Sequence, residues 1–301
     1  MEFGAHLPLI VFDGAPRSLG DLVSFARRAA ALDYRYLCAN DHLLFGRPWL
    51  DGPTALAATL EASAGMTLAT TVALPVVRGP VQTAKLFSAL QLLSGGRLIA
   101  GVGPGSSRED YAAASLPFEE RWKRFDESIR ALRSLLDADA GGFSGTFYST
   151  DGISIEPRPA APPIWIASWG SAARLRQVAR LGDGWLASGY NTTPAAFRGN
   201  ADALPDAFPN AIATMWLYVT ESRRSRERIL SDVLAPALNR PVEALAELPL
   251  PIGSAEQCAE RLSAFAGAGA QRVFVWPLTD ELRQLEAFAQ DVAPLVAGEA
   301  A

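Results

Sequence analysis

The chain is poor in the residues that do the most recognisable chemistry. In 301 residues it has two cysteines, Cys38 and Cys258, and two histidines, His6 and His42. Two cysteines cannot build a disulfide framework, and with two histidines and scattered acids they make no convincing metal site. Lysine is nearly absent: Lys85 and Lys123 stand alone, and the rest of the 27 basic residues are arginine. A bound anion therefore meets arginine or backbone N–H. Basic runs are missing too. Charges of both signs are interspersed around a net charge of −5, which points away from nucleic acid as a partner. No apolar run reaches the roughly 18 residues of a spanning helix, so no membrane partner is expected. Met1 to His6 show no basic segment followed by an apolar one, so no signal peptide is expected and the cytoplasm is the default setting.

What the chain does have is apolar residues, 49% of the total, enough for a large buried core. They come in a repeating order. Short apolar runs near residues 3–9, 34–38, 66–74, 97–102, 164–167, 184–187, 211–219 and 273–276 read as strands. Between them lie segments of helical period, such as 19–32, where Leu22, Phe25, Ala26 and Ala29 share one face behind a Ser18 cap. Thr193-Pro194 and the Ser254/Gln257 capping box open two more helices. Strands that alternate with helices pair in parallel, because the helix supplies the crossover. Eight such units, with no linker and no change of composition, predict an α/β protein. The fold expected is a single (β/α)8 TIM barrel spanning 1–301 as one domain, with an insertion around residues 103–162.

In a barrel of this kind the loops after the strand C-termini build the active site. The second strand ends in Asn40-Asp41-His42, polar residues at the mouth of an apolar core. An arbitrary Asp-His pair is more often a cap and a satisfied histidine. This position shifts the balance, since an imidazole titrates near neutral pH and can pass a proton. After the fourth strand, Gly101-Val102-Gly103-Pro104-Gly105-Ser106 has the wrong spacing for a dinucleotide fingerprint. It reads equally as a plain turn with a Ser106/Glu109 capping box or as a small-residue loop that lets a flat ligand approach the backbone. Ser168-Trp169-Gly170-Ser171 leads into a helix and reads as a helix cap or as a phosphate seat. Thr71-Val72 suits a strand and reads first as core packing.

Several ordered stretches carry a family resemblance: Leu37 to His42, Thr71 to Pro75 with Arg78-Gly79-Pro80, Leu92 to Gly105, Phe118 to Arg121, Pro163 to Ala167 and Gly182 to Trp185. Together the chain resembles the bacterial luciferase-like monooxygenase superfamily, and within it the group using the deazaflavin coenzyme F420. The resemblance covers nearly the whole chain. It implies an oxidoreductase that transfers hydride between F420 and a small organic substrate, with His42 as the catalytic group. It implies cofactor contacts at Asp41, at Thr71 and Val72 (where deazaflavin members carry a non-proline cis peptide), at Gly103, Pro104, Gly105 and Ser106, and at Ser168, Trp169, Gly170 and Ser171. His6, Phe45, Trp49 and Trp276 are the candidate substrate-pocket residues, with Leu50 beside them. Sugar-phosphate dehydrogenases of the group place a glutamate where this chain has Ser106, a departure that counts against sugar-phosphate oxidation. FMN-dependent monooxygenases share most of these motifs, so FMN is the alternative cofactor, and a barrel that binds cofactor without catalysis is the third reading. Barrels of the family commonly pair, and the apolar face at Leu56–Leu60 is the candidate surface for a homodimer.

Overall fold

The computed structural model describes residues 1–12, 14–168 and 170–296. Eight parallel strands close a barrel in sequence order: β1 Glu2–His6, β2 Tyr36–Ala39, β3 Thr67–Thr70, β4 Leu98–Val102, β5 Ile164–Ala167, β6 Gly184–Ser188, β7 Asn210–Val219 and β9 Arg272–Pro277. β1 closes the ring against β9, with Gly4 opposite Phe274, and β7 bridges β6 and β9. The two-residue β8, Ile252–Gly253, pairs only with the far end of β7. Helices cover the outside, so the expected (β/α)8 architecture is the one observed.

Two cores follow from the period of the strands. Inside the barrel, alternate strand positions bring together Tyr36, Cys38, Ile99, Trp165, Leu186 and Phe274 with small residues between them. Trp165 and Phe274 fit because glycines stand in register with them. A Cβ on Gly184 would come within 2.5 Å of Trp165, and one on Gly4 within 2.6 Å of Phe274. The larger core lies between the strands and the helices.

The helices begin where local chemistry says they should. Ser18 caps Leu19–Ala31 in a capping box with Asp21, Thr193 caps Pro194–Ala201, and Ser254 with Gln257 opens Ala255–Gly267. Strand ends differ from expectation. β1 stops at His6 because Pro8 has no N–H for a ladder, and β3 stops at Thr70, followed by the short helix Pro75–Arg78. The second helix spans Gly52–Ala58; the Thr59 hydroxyl bonds back to the carbonyls of Ala55 and Leu56 and the chain turns. Leu56 is fully buried within the chain. Of the 56–60 face, Ala57 and Ala58 are exposed and Leu60 is partly buried.

The expected insertion lies between β4 and β5. It carries the helix Arg108–Ala113, the long outer helix Arg121–Leu136 and an irregular return with a bridge between Ser144 and Ser149. Among the described residues no helix is long and apolar enough to cross a membrane.

Candidate active site

At the C-terminal mouth of the barrel lies a cleft of about 610 Å³. It gathers Asp41 and His42 after β2, Thr71 and Val72 after β3, and Gly103, Pro104, Gly105 and Ser106 after β4. Eight residues named from the sequence thus meet in one place. The β6 and β7 side of the cleft is formed by Ser188, Tyr190 and Thr214.

His42 is held from behind. Its Nδ1 lies 2.8 Å from Oδ2 of Asp110, a residue only 1% exposed. The other carboxylate oxygen of Asp110 accepts the backbone N–H groups of Leu43 at 3.1 Å and Leu44 at 2.7 Å. An ionised carboxylate only accepts, so the proton on Nδ1 points at Asp110 and Nε2 is the nitrogen left for a ligand. Phe45 and Trp49 pack around the imidazole with ring centroids 5.3 and 4.7 Å away. Asp110 was not singled out in the sequence. The capping pair is Ser107/Asp110, with the Ser107 hydroxyl accepting from the Asp110 N–H at 3.1 Å, one residue beyond the expected Ser106/Glu109. That shift turns the Asp110 side chain toward His42 and leaves Ser106 in the cleft lining.

Asp41 is buried and takes a two-pronged bond from Arg78, at 2.6 Å to each oxygen. Arg78 also bonds Asp51, the cap of the helix Gly52–Ala58. The bond to Asp41 holds the guanidinium well above its ordinary pKa, against the opposing pull of burial. Asn40, given no separate role in the sequence, joins two loops: its Oδ1 accepts from the N–H of Asp41 at 2.8 Å and of Val72 at 3.0 Å. The Thr71–Val72 peptide is cis, as the resemblance implies.

His6 and Trp276 do not line the cleft. Both are fully buried beneath it and stacked at 3.5 Å. His6 donates from Nδ1 to the Leu7 carbonyl at 3.1 Å, and its Nε2 accepts the Thr71 hydroxyl at 3.0 Å. Burial pushes its pKa from 6.5 down to about 3, so His6 is a neutral support for Thr71 rather than a substrate contact. Trp276 continues the stack to Trp216 at 4.4 Å. The strand pattern placed both on the right strands; the alternation of faces put them below the mouth.

Ser168, Gly170 and Ser171 stand apart from the cleft lining, at the head of the helix Ala172–Leu181; Trp169 lies outside the described residues. The Ser168 hydroxyl is buried with no hydrogen-bond partner among the described residues, and Ser171 gives this helix no side-chain cap. An orphan hydroxyl beside uncapped N–H groups suits an oxygen-rich anion. Across the mouth, a Cβ on Gly103 would come within 2.6 Å of Val72, so only glycine lets the two loops lie this close. A flat ring over small residues with a phosphate at the helix head fits both features.

The sequence model for the luciferase-like monooxygenases matches residues 1–208, and the chain belongs to that family. It is 34% identical over 178 residues to the F420-dependent glucose-6-phosphate dehydrogenase of Amycolatopsis mediterranei (strain U-32), covering 55% of this chain and 52% of that one. It is 30% identical over 197 residues to the F420-dependent hydroxymycolic acid dehydrogenase of Mycobacterium tuberculosis (strain ATCC 25618 / H37Rv), covering 60% and 54%. The alignments thus span about half the length of these curated relatives. Among solved structures, an F420-dependent secondary alcohol dehydrogenase in complex with an F420-acetone adduct superposes with a TM-score of 0.83 at 16% identity over 98% of this chain and 99% of that one. At that identity the match speaks to the fold.

Proposed function

We propose that this protein is an oxidoreductase that binds coenzyme F420 and moves hydride between it and a small organic substrate. The observation that carries the reading is His42, oriented by the buried carboxylate of Asp110 at the mouth of a cleft whose other loops present Thr71-Val72 and Gly103 to Ser106. When bound, the deazaflavin supplies the hydride-accepting or hydride-donating carbon. The chain supplies the rest. Gly103, Pro104, Gly105 and Ser106 would give the ring a close backbone platform, and Thr71 and Val72 would contact it. Ser168, Trp169, Gly170 and Ser171 are proposed to take the phosphate. Asp41, neutralised by Arg78, stiffens the floor and presents its backbone. His42 takes or gives the proton at Nε2 while Asp110 steadies the charged imidazolium. The curated relatives named above support the choice of F420. The reading takes 1–301 as one domain working in the cytoplasm, with a homodimer as an assembly for sedimentation to test.

The test is titration of the purified protein with F420 and with FMN, followed by turnover of His42→Ala. Tight binding of F420, with a loss of roughly 10²–10⁴ in turnover for the variant and cofactor affinity retained, is the expected result. Binding of FMN alone would move the protein to the monooxygenases. Tight F420 binding with undiminished turnover in His42→Ala would remove His42 from the chemistry.

A further inference from the structure

In a ring of eight strands, β2 and β6 are diametrically opposed. His42 follows β2, so it stands across the cleft from Ser188 at the end of β6 and Tyr190 just beyond, with Thr214 of β7 at their side. This far wall carries three hydroxyl groups beside Leu186, Ala187 and Ala213. It is also built at a cost. β7 slips register against β9 between Ile212 and Met215, and Thr214 sits in that break with φ of 54°. A β-branched residue avoids the left-handed region, and bulges next to binding sites serve to re-aim a side chain. The Thr214 hydroxyl donates to the Ala213 carbonyl at 2.7 Å and lies 3.4 Å from the Ser188 hydroxyl, which accepts from Asn191 Nδ2 at 3.0 Å.

Tyr190 is fixed from outside by Arg240. The guanidinium donates to the Tyr190 carbonyl at 2.8 Å and to Asn191 Oδ1 at 2.6 Å, and its carbon lies 5.3 Å from the phenol ring centre. Burial raises the phenol pKa above its ordinary value, against the pull of Arg240 and of hydrogen bonds with the Ser188 and Asn191 side chains; the O–H therefore keeps its proton and can donate.

Charge decides what this wall can hold. Among the described residues, neither lysine nor arginine lines the cleft. Two arginines that bond residues of its lining are already engaged, Arg78 by Asp41 and Asp51 and Arg240 by Tyr190 and Asn191. Val72, Leu74 and Leu186 give the rest of the lining an apolar character. A substrate phosphate placed here would be stripped of water with no cation to meet it, which is strongly unfavourable. A hydroxyl or carbonyl oxygen on an apolar body meets a donor on one side and an imidazole on the other.

We propose that Tyr190, backed by Ser188 and Thr214, binds the oxygen of an uncharged alcohol or carbonyl substrate opposite His42, and that this wall rejects phosphorylated sugars. The proposal deepens the F420 oxidoreductase reading and rests on it. The test uses the F420-loaded protein and calorimetric titration with a panel of uncharged linear and cyclic six- to ten-carbon alcohols and ketones, alongside glucose 6-phosphate. At least one uncharged compound binds saturably and glucose 6-phosphate does not. Tyr190→Phe, checked for folding by circular dichroism, weakens that binding roughly 5–20-fold and raises KM to match, with F420 affinity unchanged. The proposal is overturned if glucose 6-phosphate binds as well as the best uncharged compound. It is equally overturned if no uncharged compound binds, or if Tyr190→Phe binds them like the parent protein. Failure of F420 to load is a separate result that sinks the functional reading. The same titrations on the unloaded protein then judge the wall by the same outcomes.

Discussion

Two histidines in one chain meet opposite fates, and the difference is the partner each finds. His42 has a carboxylate on Nδ1 and an open cleft at Nε2; His6 has a carbonyl on one side, a hydroxyl on the other and a tryptophan across its face. Asp110→Asn tests the first arrangement. Asparagine still accepts the Leu43 and Leu44 N–H groups through its oxygen, but its amide cannot accept from Nδ1, so the favoured tautomer is lost. Turnover is expected to fall by roughly 10²–10⁴ with KM little changed, read by steady-state kinetics. His6 carries a pH dependence. Its pKa is 6.5 in the unfolded chain and about 3 when folded, so between those values the unfolded chain binds the extra proton. Stability is full above pH 6.5 and falls as the pH drops toward 3, by up to roughly 1.4 kcal/mol per unit. Urea midpoints measured from pH 7 to 4 should show a shallower acid slope in His6→Gln than in the parent protein.

At the scale of the element, the helices were more legible in the sequence than the strand ends. Leu19–Ala31 and Ala255–Gly267 begin where Ser18 and Ser254 place them, because capping is local chemistry. β8 could not be read, since two residues carry no period. The bulge in β7 was equally hidden, because register is a relation between strands and not a property of one. That is why Thr214 escaped notice while Asp41 and His42, at a plain strand end, did not. Asp110 lies 68 residues from its histidine, and no spacing rule spans that distance. Two substitutions probe these elements. A Cβ on Gly52 would sit 2.0 Å from the Asn40 carbonyl oxygen, so Gly52→Ala should cost roughly 1–3 kcal/mol and weaken cofactor binding through Asn40. Thr214→Gly removes about 1–2 kcal/mol of left-handed strain and adds about 0.5–1 kcal/mol of chain entropy. Its melting temperature should hold or rise while affinity for uncharged ligands drops.

For the whole molecule, the parallel ring leaves the mouth as the place where loops from every quarter meet, and a ligand there ties them together. F420 at a hundredfold excess over its Kd is expected to add about 2.7 kcal/mol to the unfolding free energy, seen as an upward shift in the thermal transition. FMN giving the larger shift would favour the monooxygenase reading. The barrel itself was readable from alternation alone, since eight strand–helix rounds admit few other closures.

The opposition of β2 and β6 across the ring has one more consequence. The residues proposed to handle cofactor and proton come from the loops after β2 to β5, all within the span 1–208 that matches the family. The hydroxyl wall straddles the end of that span, with Thr214 beyond it. Inheritance can therefore act on the two sides separately: one bank of loops preserves a reaction while the other drifts, and a lineage gains new substrates without reinventing its chemistry.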